Sequence, residues 1–253
     1  MQLKDLVIEA FDGDIGTASQ LYFDDETWTV RYLVVNTGGW LAGRNVLISP
    51  YAITGVDWQA LRVNVSLTKK QVENSPDIDT HRPVSRQHEV EHLGYYGYPN
   101  YWGGPYLWGP TYYPMGLANP SANPLADLGT QVTSEDSHLR STSGVSGYEI
   151  QATDSELGHV KNFILDDESW EIRYLEVATR NWWPGKTVLI SPAWIERVSW
   201  AEGKVYVNLS REKIKSAPSY NESEPITREY ETLLYFHYAR APYWVRGAAQ
   251  GKL

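Results

Sequence analysis

The sequence predicts a mainly β protein made of two tandem small β-barrels, each followed by a short helix and an aromatic tail and related by a pseudo-twofold. Three observations carry that prediction. The chain repeats itself at a shift of 142 residues (166 − 24 = 142): Asp24-Asp25-Glu26-x-Trp28-x-x-Arg31-Tyr32-Leu33 returns as Asp166-Asp167-Glu168-x-Trp170-x-x-Arg173-Tyr174-Leu175. Repetition on this scale means two copies of one structural unit. Each copy is a series of short runs rich in β-branched and aromatic residues, broken by Gly, Asp and Pro, which is the pattern of many short strands. After the last run of each copy, a Ser or Thr opens a short polar stretch, the pattern of a capped helix.

The elements follow in order. Asp12-Gly13-Asp14 and Asp154-Ser155-Glu156 carry turn chemistry ahead of Gly16 and Gly158, two glycines expected at positive φ. Gln20 to Phe23 and Trp28 to Val35 read as strands, with the polar Asp-Asp-Glu-Thr stretch as their hairpin turn. Leu33 and Val35, kept as Leu175 and Val177, face the core by period-two alternation. Val34 becomes Glu176 in the second copy, so that face is expected to meet solvent. Val46 to Ser49, ended by Pro50, returns as Val188 to Ser191 and Pro192, a strand expected to be buried on both faces. Val63, Val65 and Leu67 return as Val205, Val207 and Leu209 in the last strand.

Thr68 and Ser210 are expected N-caps for helices over Lys69 to Asn74 and Arg211 to Ser216. Ser85 and Thr227 open second helical stretches through Arg86-Gln87-His88-Glu89 and Arg228-Glu229-Tyr230-Glu231, and Tyr101-Trp102 falls on Tyr243-Trp244. Gly94 to Asn123 is crowded with Gly, Pro and Tyr, which argues against regular helix or central strand. Thr130 to Gly147 is Ser/Thr-rich and reads as flexible linker. The expected domains are residues 1–103, a linker 104–145, and residues 146–253.

The net charge of −9 and the lack of any Lys/Arg cluster argue against a nucleic-acid partner. With no cysteine, the chain has neither disulfides nor thiolate chemistry. No apolar signal core follows Met1, and no run is long enough to cross a bilayer. The expectation is a cytoplasmic protein whose contact with a membrane, if any, is peripheral.

The repeated residues resemble the PRC-barrel family, named for the cytoplasmic domain of the H subunit of the purple-bacterial photosynthetic reaction centre. The resemblance rests on Gly16, Phe23-Asp24-Asp25-x-x-Trp28, Arg31-Tyr32-Leu33-Val34-Val35, the Thr37 to Leu41 segment, Val46 to Pro50, Val56-Asp57-Trp58 and the Tyr101-Trp102 ending. It covers residues 3–102 and 146–244. It implies a barrel of about six strands used mainly as a binding module. In the reaction centre that module carries carboxylates assisting proton delivery to a quinone; in RimM-type ribosome-maturation factors it binds a ribosomal protein. This chain has no membrane anchor in its sequence and is acidic, so the resemblance points to the tandem soluble members.

His88-Glu89-Val90-Glu91-His92 is a literal H-E-x-x-H, which on a helix can present two imidazoles and a general base to zinc. Its aligned positions are Tyr230, Glu231 and Leu234, so the motif is unshared, and Gly94 is expected to break the helix behind it. Asp24-Asp25-Glu26 and Asp166-Asp167-Glu168 are shared, but adjacent acids on a short turn cannot supply the oxygens calcium takes; they read as turn residues paired with Arg31 and Arg173. No catalytic residue, metal ligand or cofactor is assigned. Trp40, Trp182, Trp183, Tyr101, Trp102, Tyr243 and Trp244 form the candidate interaction surface, because exposed aromatics mark interfaces.

The expected function is a non-enzymatic binding or scaffolding protein with a protein partner and with its two barrels paired within the chain. The alternatives are a soluble accessory of a photosynthetic or electron-transfer complex, and a hydrolase built on His88 and His92.

Overall fold

In a computed structural model, residues 6–77, 84–115, 138–179 and 186–245 are described. The chain divides into two compact units. The first comprises residues 2–145 together with 165–173; the second comprises 146–164 and 174–253.

In the first unit the strands are β1 (Val7–Ala10), β2 (Gly13–Asp24), β3 (Thr29–Asn36), β4 (Asn45–Ile48), β5 (Ile53–Asp57) and β6 (Arg62–Val65). They lie in the order β4-β3-β2-β1-β6-β5, antiparallel except for β1 beside β6. β2 is long enough to serve β1 through Gly13 to Thr17 and β3 through Thr17 to Asp24. Register shifts at Ala18/Gln20 and Tyr22/Phe23 bend it between them, as bulges do. Two helices follow, α1 (Lys69–Glu73) and α2 (Arg86–Tyr96), then β7 (Leu139–Ser141) and the short turn α3 (Thr142–Val145).

The second unit repeats the plan with β8 (Glu149–Gln151), β9 (Glu156–Leu165), β10 (Ile172–Thr179), β11 (Thr187–Ile190), β12 (Ile195–Ser199) and β13 (Lys204–Val207), followed by α4 (Arg211–Lys215) and α5 (Arg228–Tyr238). Its sheet order is β11-β10-β9-β8-β13-β12, the same path strand for strand. The mainly β, twofold-repeated fold is therefore as expected. Closure is not: β4 and β5 end one path and β11 and β12 the other, and among the described residues no pairing joins those ends.

The cores are built from the alternating apolar positions. Leu33, Val35, Val46, Ile48, Val63 and Val65, with Leu175, Val177, Val188, Ile190, Val205 and Val207, are all 2 % exposed or less. The four expected caps are in place: the hydroxyls of Thr68, Ser85, Ser210 and Thr227 accept from the backbone N–H three residues on. Each such cap contributes about 1 kcal/mol.

Four expectations are corrected. The face of Val34 and Glu176 is buried in both copies. Val34 joins Tyr22, Tyr32, Leu47, Val84 and Leu139 in a second apolar cluster, and Glu176 is held by Lys161 Nζ at 2.9 Å. The strand alternation was read correctly, but elements distant in sequence cover its outer face. Gly16 lies at positive φ as expected, at 158°, whereas Gly158 does not; what both share is a lack of space, since a Cβ would stand 2.0 Å from the carbonyl oxygen of Asn36 or of Ala178. Helix α2 does not break at Gly94; it runs to Tyr96 and stops at Gly97, whose φ of 71° suits glycine. Finally, Leu139 to Ser141 is no linker. It pairs antiparallel with Tyr22 to Asp24 at the end of β2. Residues 116–137, the rest of the expected linker, lie outside the described residues.

Candidate functional site: a duplicated buried carboxylate and an edge groove

The Ser85 cap fixes the first turn of α2, placing Arg86 and Glu89 on one face at a spacing where side chains meet. That face lies on β3, where alternation turns Tyr32 outward toward the helix. Glu89 is fully buried. Its Oε2 accepts from the Tyr32 phenol at 3.3 Å and from the Tyr101 phenol. Its Oε1 faces Arg86 Nη1 at 3.4 Å and His138 Nε2 at 3.3 Å. Arg86 also donates to the Tyr101 oxygen at 3.1 Å and stacks on Trp102 at 4.1 Å. Burial pushes the Glu89 carboxyl up to about 7, against the opposing pull of Arg86 and the two phenols. Burial and the neighbouring Glu89 charge raise Tyr32 and Tyr101 as well.

The second unit has the same constellation at plus 142. Tyr174 donates to Glu231 Oε1 at 2.7 Å and Tyr243 at 3.1 Å; Arg228 Nη1 meets Glu231 Oε2 at 2.8 Å and stacks on Trp244 at 4.2 Å. The two copies differ around it. In the first, β7 brings in His138, and Arg31 lies under the site, 3.8 Å from the Tyr101 ring and 4.9 Å from the fully buried Trp108. Burial lowers the Arg31 pKa, and the charge is retained by Asp24 at 3.8 Å and the Leu107 carbonyl at 2.6 Å. Arg173 instead sits nearer solvent, between Asp166 at 3.1 Å and Glu171 at 2.6 Å.

The shared acids form turns, as expected. Asp24 Oδ1 accepts from the N–H groups of Glu26 and Thr27, and Asp166 Oδ1 from those of Glu168 and Ser169. Both turns close on a tryptophan in the left-handed region, Trp28 at φ 55° and Trp170 at φ 62°. Residues 165–173 belong to the first unit, and there Val30 N donates to Trp170 O while Ile172 N donates to Trp28 O. Trp108 Nε1 adds a bond to the Ser169 carbonyl at 2.8 Å.

His88 is exposed, with Nδ1 3.4 Å from its own cap hydroxyl. His92 is buried, its ring edge-on to Tyr32, and its Nε2 donates to the Leu47 carbonyl at 3.0 Å. Burial lowers its pKa to about 4. The two imidazoles thus serve different surroundings, and His92 acts as a core residue.

Of the expected interaction residues, Trp40 donates its indole N–H to the Ile15 carbonyl and carries Lys69 over its ring at 4.5 Å. Tyr101 is only 4 % exposed and so is an interior residue, a correction to its place on a surface. Trp102, Tyr243 and Trp244 are half-buried beside the arginines, and Trp182 and Trp183 lie outside the described residues. In the sequence Glu89 stands out as the candidate base of the H-E-x-x-H, with Glu231 as its aligned position; the 142-residue shift also marks both, together with Arg86 and Arg228, as a shared Arg-x-x-Glu that belongs to the fold. His138 and Trp108 occur in one copy only and carried no such mark.

An open groove of about 610 Å³ lies elsewhere in the first unit. Pro50 and Ile53 to Val56 form one wall, Tyr113 to Met115 another, and Asp167, Glu168 and Trp170 the third. No helix among the described residues is long and apolar enough to cross a membrane.

Residues 142–214 match the family model described as PRC-barrel domain. No curated protein matches the chain. The matched stretch holds the sheet of the second unit from β8 to β13 and most of α4. Residues 142–214 of the second repeat are thus similar to a PRC-barrel domain.

Proposed function

We propose that this protein is a non-enzymatic binding or scaffolding module whose partner is another protein. One observation carries the reading: the shared carboxylates drawn into the fold, Glu89 and Asp24 with their counterparts Glu231 and Asp166, are engaged internally. Glu89 and Glu231 each meet two phenols and an arginine of their own repeat, and Asp24 and Asp166 are occupied by turn amides. A catalytic carboxylate must reach a substrate; these reach only their own fold. What the first unit leaves accessible is the groove beside its end strand β5, a feature suited to holding a ligand.

The test is cross-linking of the full chain in its native lysate, followed by mass spectrometry of the cross-linked peptides. A single protein recovered repeatedly, linked to one face and retained when Glu89→Gln and Glu231→Gln are introduced, supports the proposal. Recovery of the chain alone under every cross-linking condition sinks it.

A further inference from the structure

The sheet of the first unit ends on β5, and an end strand presents one row of backbone groups without a ladder partner. Among the described residues no backbone bond reaches the outer side of Thr54 to Val56, and these residues line the groove. Proteins guard such edges with charge, bulges or cover. The second repeat shows what a guarded version looks like. Adding 142 to Thr54 and Gly55 gives Glu196 and Arg197 on β12, the end strand of the other sheet. Arg197 there lies over the Tyr206 ring at 3.5 Å. At the same two positions β5 carries a small hydroxyl and a glycine with open space where a Cβ would stand.

The third wall differs between the repeats in the same sense. Asp25 in the first hairpin is neutralised by Arg140 at 2.7 Å. Its counterpart Asp167, with Glu168 beside it, is exposed and meets no cation among the described residues. Both end strands carry the same register shift, at Ile53/Gly55 and Ile195/Arg197, so what β5 lacks is the charge. The groove therefore combines a strand edge bare of charge at Thr54 and Gly55, an apolar wall of Tyr113, Pro114 and Met115, and two carboxylates awaiting a positive charge.

We propose that β5 receives an extended peptide of a partner protein as an added strand, with a Lys or Arg of that peptide on Asp167 and Glu168 and an apolar side chain against Tyr113 and Met115. Strand addition draws affinity from the main chain and specificity from alternate side chains, which is the division of labour these walls supply. The inference rests on the binding role proposed above and specifies where and what it binds.

The experiment is selection of a phage-displayed random peptide library on the immobilised full chain, followed by binding of the enriched peptide made synthetically. Enriched peptides should carry Lys or Arg flanked by alternating apolar residues. Asp167→Lys with Glu168→Lys should weaken the synthetic peptide at least about tenfold. Thr54→Glu with Gly55→Arg, which copies the guarded edge of β12, should abolish binding while keeping the fold. The amides of Thr54 to Asp57 should gain hydrogen-exchange protection with the peptide bound. Lack of enrichment over bare support, peptides indifferent to both double variants, or a dimer of this chain formed through β5 in place of peptide binding would each overturn the proposal. If a lysate partner is captured equally by the wild type and by both double variants, this edge is wrong and the binding role stands. If neither peptide nor partner is found, both fall.

Discussion

The Tyr32 phenol donates to the Glu89 carboxylate across 3.3 Å in a place neither shares with water, and Tyr174 does the same for Glu231 at 2.7 Å. Each bond ties a strand to a helix that follows it by more than fifty residues. It is a side-chain bond holding a helix on a sheet that the strand ladder cannot reach.

Tyr32→Phe and Tyr174→Phe should each destabilise their unit by about 1–3 kcal/mol, because a buried carboxylate oxygen loses a donor while the ring volume is kept. Chemical denaturation of each variant reads this directly. A neutral result at both positions would contradict a structural role for the pair.

The pH dependence of stability should show two opposed contributions. The Glu89 carboxyl takes its proton near pH 7 when folded and near 4.5 when unfolded. Its contribution is complete below 4.5 and about 3 kcal/mol is lost as pH rises to 7. His92 titrates near 4 folded and near 6.5 unfolded. Its contribution is complete above 6.5 and about 3 kcal/mol is lost as pH falls to 4. Between 4.5 and 6.5 the two oppose one another. Urea denaturation across this window should therefore be nearly flat for the wild type. Glu89→Gln should make stability rise with pH, and His92→Asn should make it fall; parallel slopes in the two variants would refute the assignment.

Gly16→Ala and Gly158→Ala should each cost about 1–3 kcal/mol or more, since the new methyl meets a backbone carbonyl that has no room to retreat. Gly39→Ala, with nothing within 4 Å, is the control and should stay within about 0.5 kcal/mol of wild type. Thermal melting separates the cases.

A fragment of residues 1–145 should fold less stably than the same residues in the intact chain. It lacks Ser169, Trp170 and Ile172, and with them the backbone bonds at Trp28 and Val30 and the acceptor of the buried Trp108 indole. Adding residues 146–253 in trans should restore stability, measured as a rise in melting temperature. Indifference to the addition would show that those bonds carry little.

The strands and caps were legible because their signals are local. Period-two alternation placed Leu33, Val35, Val63 and Val65 inside, and Thr68, Ser85, Ser210 and Thr227 were recognisable as caps from the residues that follow them. Val34 and Glu176 were misplaced because alternation says which residues share a face and not what will cover it. The positive φ expected of both glycines holds at Gly16 and fails at Gly158; the approach of Asn36 or Ala178 that excludes a side chain at both is a tertiary fact the sequence does not display. The site was half legible. Its Arg-x-x-Glu and tyrosines recur at the repeat distance, but His138 reaches Glu89 through β7, a strand of Leu, Arg and Ser too short and polar to announce itself.

Residues 165–173 belong to a unit whose other residues all come before position 146. A ribosome makes the chain in the opposite order of convenience. When residue 145 emerges, the first unit has every strand of its sheet but not its last hydrogen bonds, and it must wait for the tip of a hairpin that belongs to the following sheet. At about 5–20 residues per second this delay lasts a few seconds, longer than most small domains need to fold. The nascent chain therefore passes through an interval in which the Trp28 carbonyl and the Trp108 indole N–H lack their partners on an otherwise assembled unit. The duplication that gave the protein its second copy also made the first depend on a stretch of sequence it does not contain.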